Sequence, residues 1–125
     1  SKINDDEIFF IDSVPHDWLF PKMAAVIHHG GAGTTSAGLR AGVPGIIVHF
    51  FGDQIFWGKK IHELKVGSKP IPIKKLNSDN LSAAINQVTS DNEIKYHAKK
   101  LSEKINSENG VDNAVMMINK HIKAR

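Results

Sequence analysis

One ten-residue segment, residues 26–35, constrains the fold of this chain more than any other part of the sequence. It is Val-Ile-His-His-Gly-Gly-Ala-Gly-Thr-Thr. The β-branched pair predicts a buried strand, and the three glycines permit a tight turn in which another group can approach the backbone closely. Thr34 and Thr35 predict the cap of a helix that runs to about Ala41 and ends at Gly42. Such a helix start predicts an anion site, because its free N–H groups and positive dipole end attract phosphate.

Strands and helices alternate through the first half of the chain. Residues 8–11 and 24–28 predict short buried strands. Residues 45–48 predict a third strand without polar alternation, as is typical of a parallel strand that is covered on both faces. Residues 69–75 contain two prolines and are therefore expected to form at most an edge strand. This alternation predicts an α/β fold built on a partial, Rossmann-like parallel sheet, followed by a helical carboxy-terminal tail.

Helical spacing of apolar residues predicts the remaining elements. A helical turn over residues 17–23 is expected to bring Trp18 and Leu19 into the core. A second helix is predicted from Asp53 to Gly67. Two more helices are predicted to begin at the caps Ser78 and Asp91, and an apolar stripe over residues 111–122 predicts the last one.

Length and composition narrow the possible classes of protein. A chain of 125 residues fits one small domain, and it contains no run of about 18 apolar residues that would span a membrane. The absence of cysteine excludes disulfides and thiolate metal sites, and is compatible with a cytoplasmic protein. The net charge of +3 and the lack of interleaved basic and aromatic residues argue against nucleic-acid binding. A solvated basic face, or a peripheral contact with an anionic membrane, is predicted at the lysines 59, 60, 65, 69, 74 and 75.

Two further motifs flank the glycine loop in a specific order and spacing. Residues 15–20 read Pro-His-Asp-Trp-Leu-Phe, and residues 52–54 read Gly-Asp-Gln. Together with the loop, they resemble the nucleotide-sugar signature of the GT-B glycosyltransferases, most closely the sterol glucosyltransferase branch, which uses UDP-glucose. The resemblance is close over residues 8–67 and looser in the helical tail.

The resemblance implies a donor-binding role for ten residues. His29 would donate to the diphosphate beside the loop amides and the Thr34 hydroxyl, while Asp53 and Gln54 would hold the glucosyl hydroxyls. An Asp–Gln pair suits vicinal hydroxyls because the carboxylate accepts and the amide both donates and accepts. The uracil base would be bound largely through backbone groups. The implied donor-binding residues are Val14, His16, His29, Gly31, Ala32, Gly33, Thr34, Thr35, Asp53 and Gln54.

Purely structural roles compete with several of these assignments. His29 has a capping role as its alternative, and Asp53 has the role of helix N-cap. His28 is expected to point to the opposite face of its strand from His29, as a buried and hydrogen-bonded histidine. Core or domain-interface packing is expected of an aromatic cluster, with a wall facing a flat apolar acceptor as the alternative; its members are Phe50, Phe51, Phe56 and Trp57.

The resemblance also implies a function. The chain would be part of the carboxy-terminal, nucleotide-sugar-binding domain of an inverting glucosyltransferase that acts on a lipid hydroxyl, the sterol 3-β-hydroxyl being the first expectation. No cofactor or metal is expected, since His28 and His29 lack a carboxylate at ligand spacing. The catalytic base would lie in an amino-terminal domain outside this chain, so the isolated chain is expected to be inactive. The alternatives are a non-catalytic donor-binding subunit, a transferase for another small acceptor, and a structural module that binds no nucleotide.

Overall fold

Five α-helices and a three-stranded parallel sheet make up the computed structural model, which describes residues 8, 10, 11 and 13–107. The elements follow in the order α1 (His16–Leu19), β1 (Val26–His28), α2 (Ala32–Ala41), β2 (Gly45–His49), α3 (Asp53–Glu63), β3 (Ile71–Pro72), α4 (Ser78–Ser90) and α5 (Asn92–Ser107). Short 3-10 turns follow α1 and β3.

The strands lie side by side in chain order, β1-β2-β3, and both pairs are parallel. Ile27 of β1 lies opposite Ile46 of β2, and Val48 of β2 lies opposite Ile71 of β3. The proline-containing β3 is two residues long and lies at the edge, where a missing N–H costs no ladder bond. The predicted α/β fold with a partial parallel sheet is confirmed.

The central strand β2 divides the core into two faces. Ile47 packs on one face with residues of α2, α3 and α5, including Leu39 and Ile61. Ile46 and Val48 point to the other face and pack with apolar residues of α4. Burying a side chain of this size contributes about 1.5–3 kcal/mol. Because α2 and α3 follow β1 and β2 directly, this packing sets both helix starts at the carboxyl edge of the sheet.

The sequence predicts that Gly42 ends α2 and that Gly67 ends α3, and only the first prediction is confirmed. Gly42 ends α2 in the left-handed region, with φ 72°, as predicted. The helix α3 ends at Glu63, and Lys65 takes the left-handed conformation there with φ 60°, so Gly67 does not end it. Gly67 is required for packing instead, because a Cβ on it would lie 2.2 Å from the carbonyl oxygen of Gly45.

The predicted amino-terminal strand is wrong for the residues that the structure describes. Ile8, Phe10 and Ile11 lie outside any strand and are exposed, Phe10 by 90%. Trp18 is also not a core residue: it is 58% exposed, and the ammonium group of Lys22 lies 4.6 Å from its ring centroid. Short apolar runs predict these elements poorly, because they do not show which neighbouring elements cover them.

The middle of the chain holds two further differences. By the residues that the structure describes, β1 is covered on only one side, since Ile27 is 48% exposed. Lys60 does not belong to a solvated basic face. It is 3% exposed, donates to Glu63 at 3.2 Å and lies against the ring of Phe56.

The helical tail begins with side-chain caps. Asn77, one residue before the predicted Ser78, caps α4 and exchanges hydrogen bonds with Asn80 in a capping box. Asp91 lies before α5 as predicted, and its Oδ1 accepts from the N–H groups of Glu93 and Ile94 at 2.9 and 3.4 Å. The predicted stripe over residues 111–122 lies outside the described residues.

Candidate functional site

A cavity of about 420 Å³ lies at the carboxyl edge of the sheet, between the loops that follow β1 and β2. Open α/β sheets bind ligands at this edge. Gly30 packs closely below it: a Cβ there would lie 2.9 Å from Ile47 Cγ2 and 3.0 Å from the carbonyl oxygen of Gln54. The cavity is lined by Gly30, Gly31, Ala32, Phe51, Gly52, Asp53, Gln54 and Trp57.

The glycine loop opens directly into α2, whose N-cap is Gly31. The first intrahelical bond runs from the N–H of Thr35 to the carbonyl of Gly31, at 2.9 Å. The N–H groups of Ala32, Gly33 and Thr34 precede it, and these are the groups that an α-helix leaves without an internal acceptor. They form the anion-attracting helix start that the sequence predicts.

The two threonines do not cap this helix, in contrast to the prediction, because both lie inside it. Thr35 is 2% exposed, and its N–H donates within the helix to the carbonyl of Gly31; its role in donor binding stays a prediction from the sequence. Its Oγ1 is buried without a hydrogen-bond partner among the residues described here. Thr34 is half-buried in the first turn of α2.

The start of α3 lies on the other side of the same cavity. Its N-cap is Gly52, with φ 60° and ψ −133°, a conformation that non-glycine residues rarely adopt. Asp53 is therefore the first residue of the helix, and the alternative role of Asp53 as its N-cap is excluded. Within the described part of the chain, no hydrogen bond or ion pair holds the exposed Asp53 carboxylate, whose two oxygens can accept from a ligand.

His28 supports the loop from below. Its Nδ1 accepts a hydrogen bond from the N–H of Gly30 at 3.1 Å, which requires that Nδ1 carries no proton. Burial, with smaller contributions from the charges of His29 and His16, lowers the pKa of His28 from 6.5 to about 4. The half-buried His28 is therefore neutral at physiological pH, in agreement with the expected buried and hydrogen-bonded histidine.

His29 and Gln54 meet beside the cavity. The exposed His29 ring lies next to Gly31, since a Cβ on that glycine would lie 3.3 Å from His29 Cε1. Gln54 Nε2 is 3.4 Å from His29 Nδ1. Gln54 Oε1 accepts from the N–H groups of Phe50 and Phe51 at 2.7 and 3.3 Å. It is therefore already hydrogen-bonded, whereas the sequence-based interpretation treats this oxygen as free to accept from a ligand.

Val14 and His16 line a second cavity, of about 330 Å³, together with Phe20 and other residues of the α1 region. The His16 ring is stacked on the Phe20 ring, with centroids 4.5 Å apart and planes 11° apart. His16 contributes to the lowered pKa of His28, the last residue of β1. The second cavity therefore lies near the end of that strand.

The aromatic cluster is divided between solvent and core. Phe50 and Phe51 are 56% and 72% exposed, whereas Phe56 and Trp57 are half-buried and pack on the core. The sequence interpretation did not assign Gly52 to the site and offered Phe51 and Trp57 only in the alternative of an acceptor-facing wall, although all three line it. The available signal was their position: they belong to the residues 51–57 that also contain the Asp–Gln pair.

Among residues 8, 10, 11 and 13–107, no three histidine, aspartate or glutamate side chains are arranged to hold a metal ion, and no helix has the length and apolar composition to cross a bilayer. That the protein needs no cofactor stays an expectation from the sequence.

Curated proteins similar to this chain are sterol 3-beta-glucosyltransferases. One from Arabidopsis thaliana is 48% identical over 117 residues, which cover 94% of this chain and 18% of the relative. One from Komagataella phaffii is 50% identical over 110 residues, or 88% of this chain and 9% of the relative. The chain thus spans less than a fifth of the length of these relatives.

Solved glycosyltransferases share the fold. VinC in complex with dTDP superimposes with a TM-score of 0.75 at 23% identity, covering 96% of this chain and 30% of VinC. The spinosyn forosaminyltransferase SpnP gives a TM-score of 0.78 at 15% identity, covering 98% of this chain and 33% of SpnP. The GT-B assignment of the fold is thereby confirmed. The model for the erythromycin biosynthesis protein CIII-like C-terminal domain matches residues 2–118, and this chain therefore belongs to that family of GT-B carboxy-terminal domains.

Proposed function

We propose that this chain forms the donor-binding part of an inverting glycosyltransferase that transfers glucose from UDP-glucose to a sterol hydroxyl. The observation that carries the proposal is the convergence of two helix starts, those of α2 and α3, on one cavity beside His29. The names of the similar curated proteins support the acceptor and the sugar.

The diphosphate would be held at the start of α2. The N–H groups of Ala32, Gly33 and Thr34 have no intrahelical acceptor and lie at the positive end of the helix dipole. A dipole contributes about 0.3–1 kcal/mol to the binding of an anion at an exposed helix start. His29 adds a side-chain donor on the same side of the loop. The complexes of VinC and of the spinosyn rhamnosyltransferase SpnG with thymidine diphosphate support a nucleoside diphosphate as the ligand.

The sugar and the base would occupy the space on either side. Asp53 offers two carboxylate oxygens to vicinal hydroxyls, and Gln54 adds one N–H of its amide, since its oxygen is bound to the backbone. We assign the uracil base to the cavity that contains Val14 and His16.

These residues act on the leaving group of the reaction. The acceptor oxygen forms a bond to the anomeric carbon as the bond from that carbon to the diphosphate oxygen breaks, and the acceptor proton passes to a base outside this chain. The helix-start amides and His29 bind the negative charge that develops on the diphosphate. The chain on its own is therefore expected to bind UDP-glucose without transferring glucose.

Peripheral contact with a membrane belongs to the same proposal, because a sterol acceptor resides in a bilayer. The exposed basic residues that would face anionic lipid are Lys59, Lys65, Lys69, Lys74 and Lys75. Co-sedimentation with phosphatidylserine vesicles, compared with phosphatidylcholine vesicles, tests this part of the proposal. Equal binding to both would remove it.

Calorimetric titration with UDP and with UDP-glucose tests the donor site. Both are expected to bind, and Asp53→Asn is expected to weaken UDP-glucose about threefold to tenfold while leaving UDP unchanged, since it removes one charged acceptor. An equal loss for both ligands would contradict a sugar-specific role for Asp53. Absence of binding by either ligand would contradict the proposed function itself.

A further inference from the structure

The orientation of the Gln54 side-chain amide is fixed by the backbone around it. Its Oε1 accepts from the N–H groups of Phe50 and Phe51, at 2.7 and 3.3 Å. An NH₂ group cannot accept a hydrogen bond from an N–H, so the oxygen must occupy this side of the amide. The nitrogen, Nε2, is consequently the atom that faces His29 Nδ1, at 3.4 Å.

This contact determines which nitrogen of His29 carries the proton. An amide NH₂ only donates, so Nδ1 must offer its lone pair to it. A neutral imidazole has one proton, which then resides on Nε2. We infer that Gln54 is a positioning residue that holds His29 as the tautomer protonated on Nε2.

The tautomer decides what His29 offers to a ligand. With the proton on Nε2, this nitrogen, which Gln54 does not contact, can donate a hydrogen bond. A diphosphate oxygen requires such a donor. In the other tautomer, Nε2 would present a lone pair and repel that oxygen. The consequence for diphosphate binding rests on the proposed function, whereas the tautomer itself is a property of the ligand-free protein.

The same side chain connects the two loops of the site. Gln54 joins residues 50 and 51, which follow β2, to His29, which follows β1. A change in the position of the Phe50–Phe51 segment is therefore expected to move Gln54 and to weaken its contact with the His29 ring. Neither phenylalanine needs to touch the diphosphate for this effect.

Nitrogen NMR of the protein with ¹⁵N-labelled histidine tests the inference. At pH 8, His29 is expected to show a bare Nδ1 and a protonated Nε2. Gln54→Glu keeps an acceptor for Phe50 and Phe51 but removes the donor, so it is expected to move a proton onto His29 Nδ1. The control is Gln87→Glu, the same change on the exposed face of α4, which should leave His29 unchanged. A protonated Nδ1 in the parent protein, or no change in Gln54→Glu, would overturn the inference.

A double-mutant cycle on UDP binding tests its consequence without involving the sugar. Gln54→Met is expected to lower the affinity for UDP about threefold to tenfold, the effect of one lost hydrogen bond. In a His29→Ala background the same change should alter it less than twofold, because Gln54 acts through His29. An undiminished loss in that background would show that Gln54 acts independently. If the parent protein binds no UDP, the proposed function fails, and the NMR result still decides the tautomer.

Discussion

The helices α2 to α5 begin in two different ways. In the tail, Asn77 and Asp91 use side-chain oxygens to satisfy the first N–H groups of α4 and α5. At the carboxyl edge of the sheet, α2 and α3 begin with Gly31 and Gly52, which have no side chain to act as a cap. A side-chain cap typically contributes about 1 kcal/mol relative to alanine. At the two helices that face the cavity, no side-chain oxygen occupies the first N–H groups, which stay available to a ligand.

The helices of the site therefore differ from those of the tail in having no side-chain cap at their starts. The α4 and α5 starts have side-chain acceptors for some of their first N–H groups, whereas those of α2 and α3 have none among the described residues.

The largest expected effect comes from removing the side-chain donor at the α2 start. In the longer protein that carries out transfer, His29→Ala is expected to reduce turnover about 100- to 1,000-fold, as is typical for loss of one preorganised donor to a developing oxyanion. Its matched control is His97→Ala, which changes a histidine of α5 that is hydrogen-bonded to the Glu93 carbonyl and contacts Tyr96, and it should leave turnover unchanged. A His29→Ala rate within twofold of the parent would assign His29 a capping role.

His28, whose Nδ1 accepts from the N–H of Gly30 below the loop, predicts that the stability of the protein depends on pH. Because the folded protein lowers the pKa of His28 from 6.5 to about 4, the unfolded chain takes up this proton first as the pH falls. The contribution of His28 to the free energy of unfolding is therefore complete above pH 6.5 and is lost between pH 6.5 and about 4, by at most about 3 kcal/mol. The loop loses its acceptor for Gly30 over the same range.

Urea denaturation at several pH values, with the parent and His28→Gln, measures this contribution. Other groups titrate in the same interval, so the difference between the two proteins is the informative quantity. It should shrink as the pH falls toward 4. A constant difference would show that His28 does not stay neutral in the folded protein.

Giving α2 a cap like those of the tail would break the contrast. Gly31 has φ −65° and ψ 145°, which serine adopts freely, and its Cβ would meet only the exposed His29 ring. Gly31→Ser is expected to keep or slightly raise the stability and to weaken UDP about threefold to tenfold, because the hydroxyl competes for the N–H groups. Thermal unfolding and UDP titration together check this. Unchanged UDP affinity in a folded variant would mean that the ligand does not use these groups.

Removing a cap from the tail should have the smallest effect, and only on stability. Asn77→Ala deletes one half of the capping box and is expected to cost about 1 kcal/mol in the free energy of unfolding. UDP affinity should stay within error of the parent. A loss of UDP binding would show that the start of α4 and the site are coupled, contrary to the separation described here.

Local chemistry was sufficient to predict the parts of the fold that one segment determines. The strand–glycine–helix order, the left-handed Gly42 and the Asp91 cap each depend on residues within a few positions. Elements that depend on distant partners were not predictable in this way. The exposure of Trp18 and the burial of Lys60 follow from which elements pack against them, which no local pattern encodes.

The site shows the same division. The sequence placed the glycine loop and the Asp–Gln pair at the sheet edge, since both follow strands that are parallel. It did not show that Gly52 rather than Asp53 caps α3, nor that the Gln54 oxygen is bound to the backbone. Both facts depend on the backbone conformation of residues 50–52, where Gly52 takes φ 60°, and the sequence does not determine this conformation by itself.

Amide NMR during a UDP titration tests the contrast between the helix starts most directly. With ¹⁵N-labelled protein, the amide resonances of Ala32, Gly33 and Thr34 are expected to shift on addition of UDP, since their N–H groups gain phosphate acceptors. The amide resonances of Asn80 and Glu93, whose N–H groups are already bound by Asn77 and Asp91, are expected to stay in place. Shifts confined to the tail, or a saturating titration in which the three α2 amides do not move, would contradict the account.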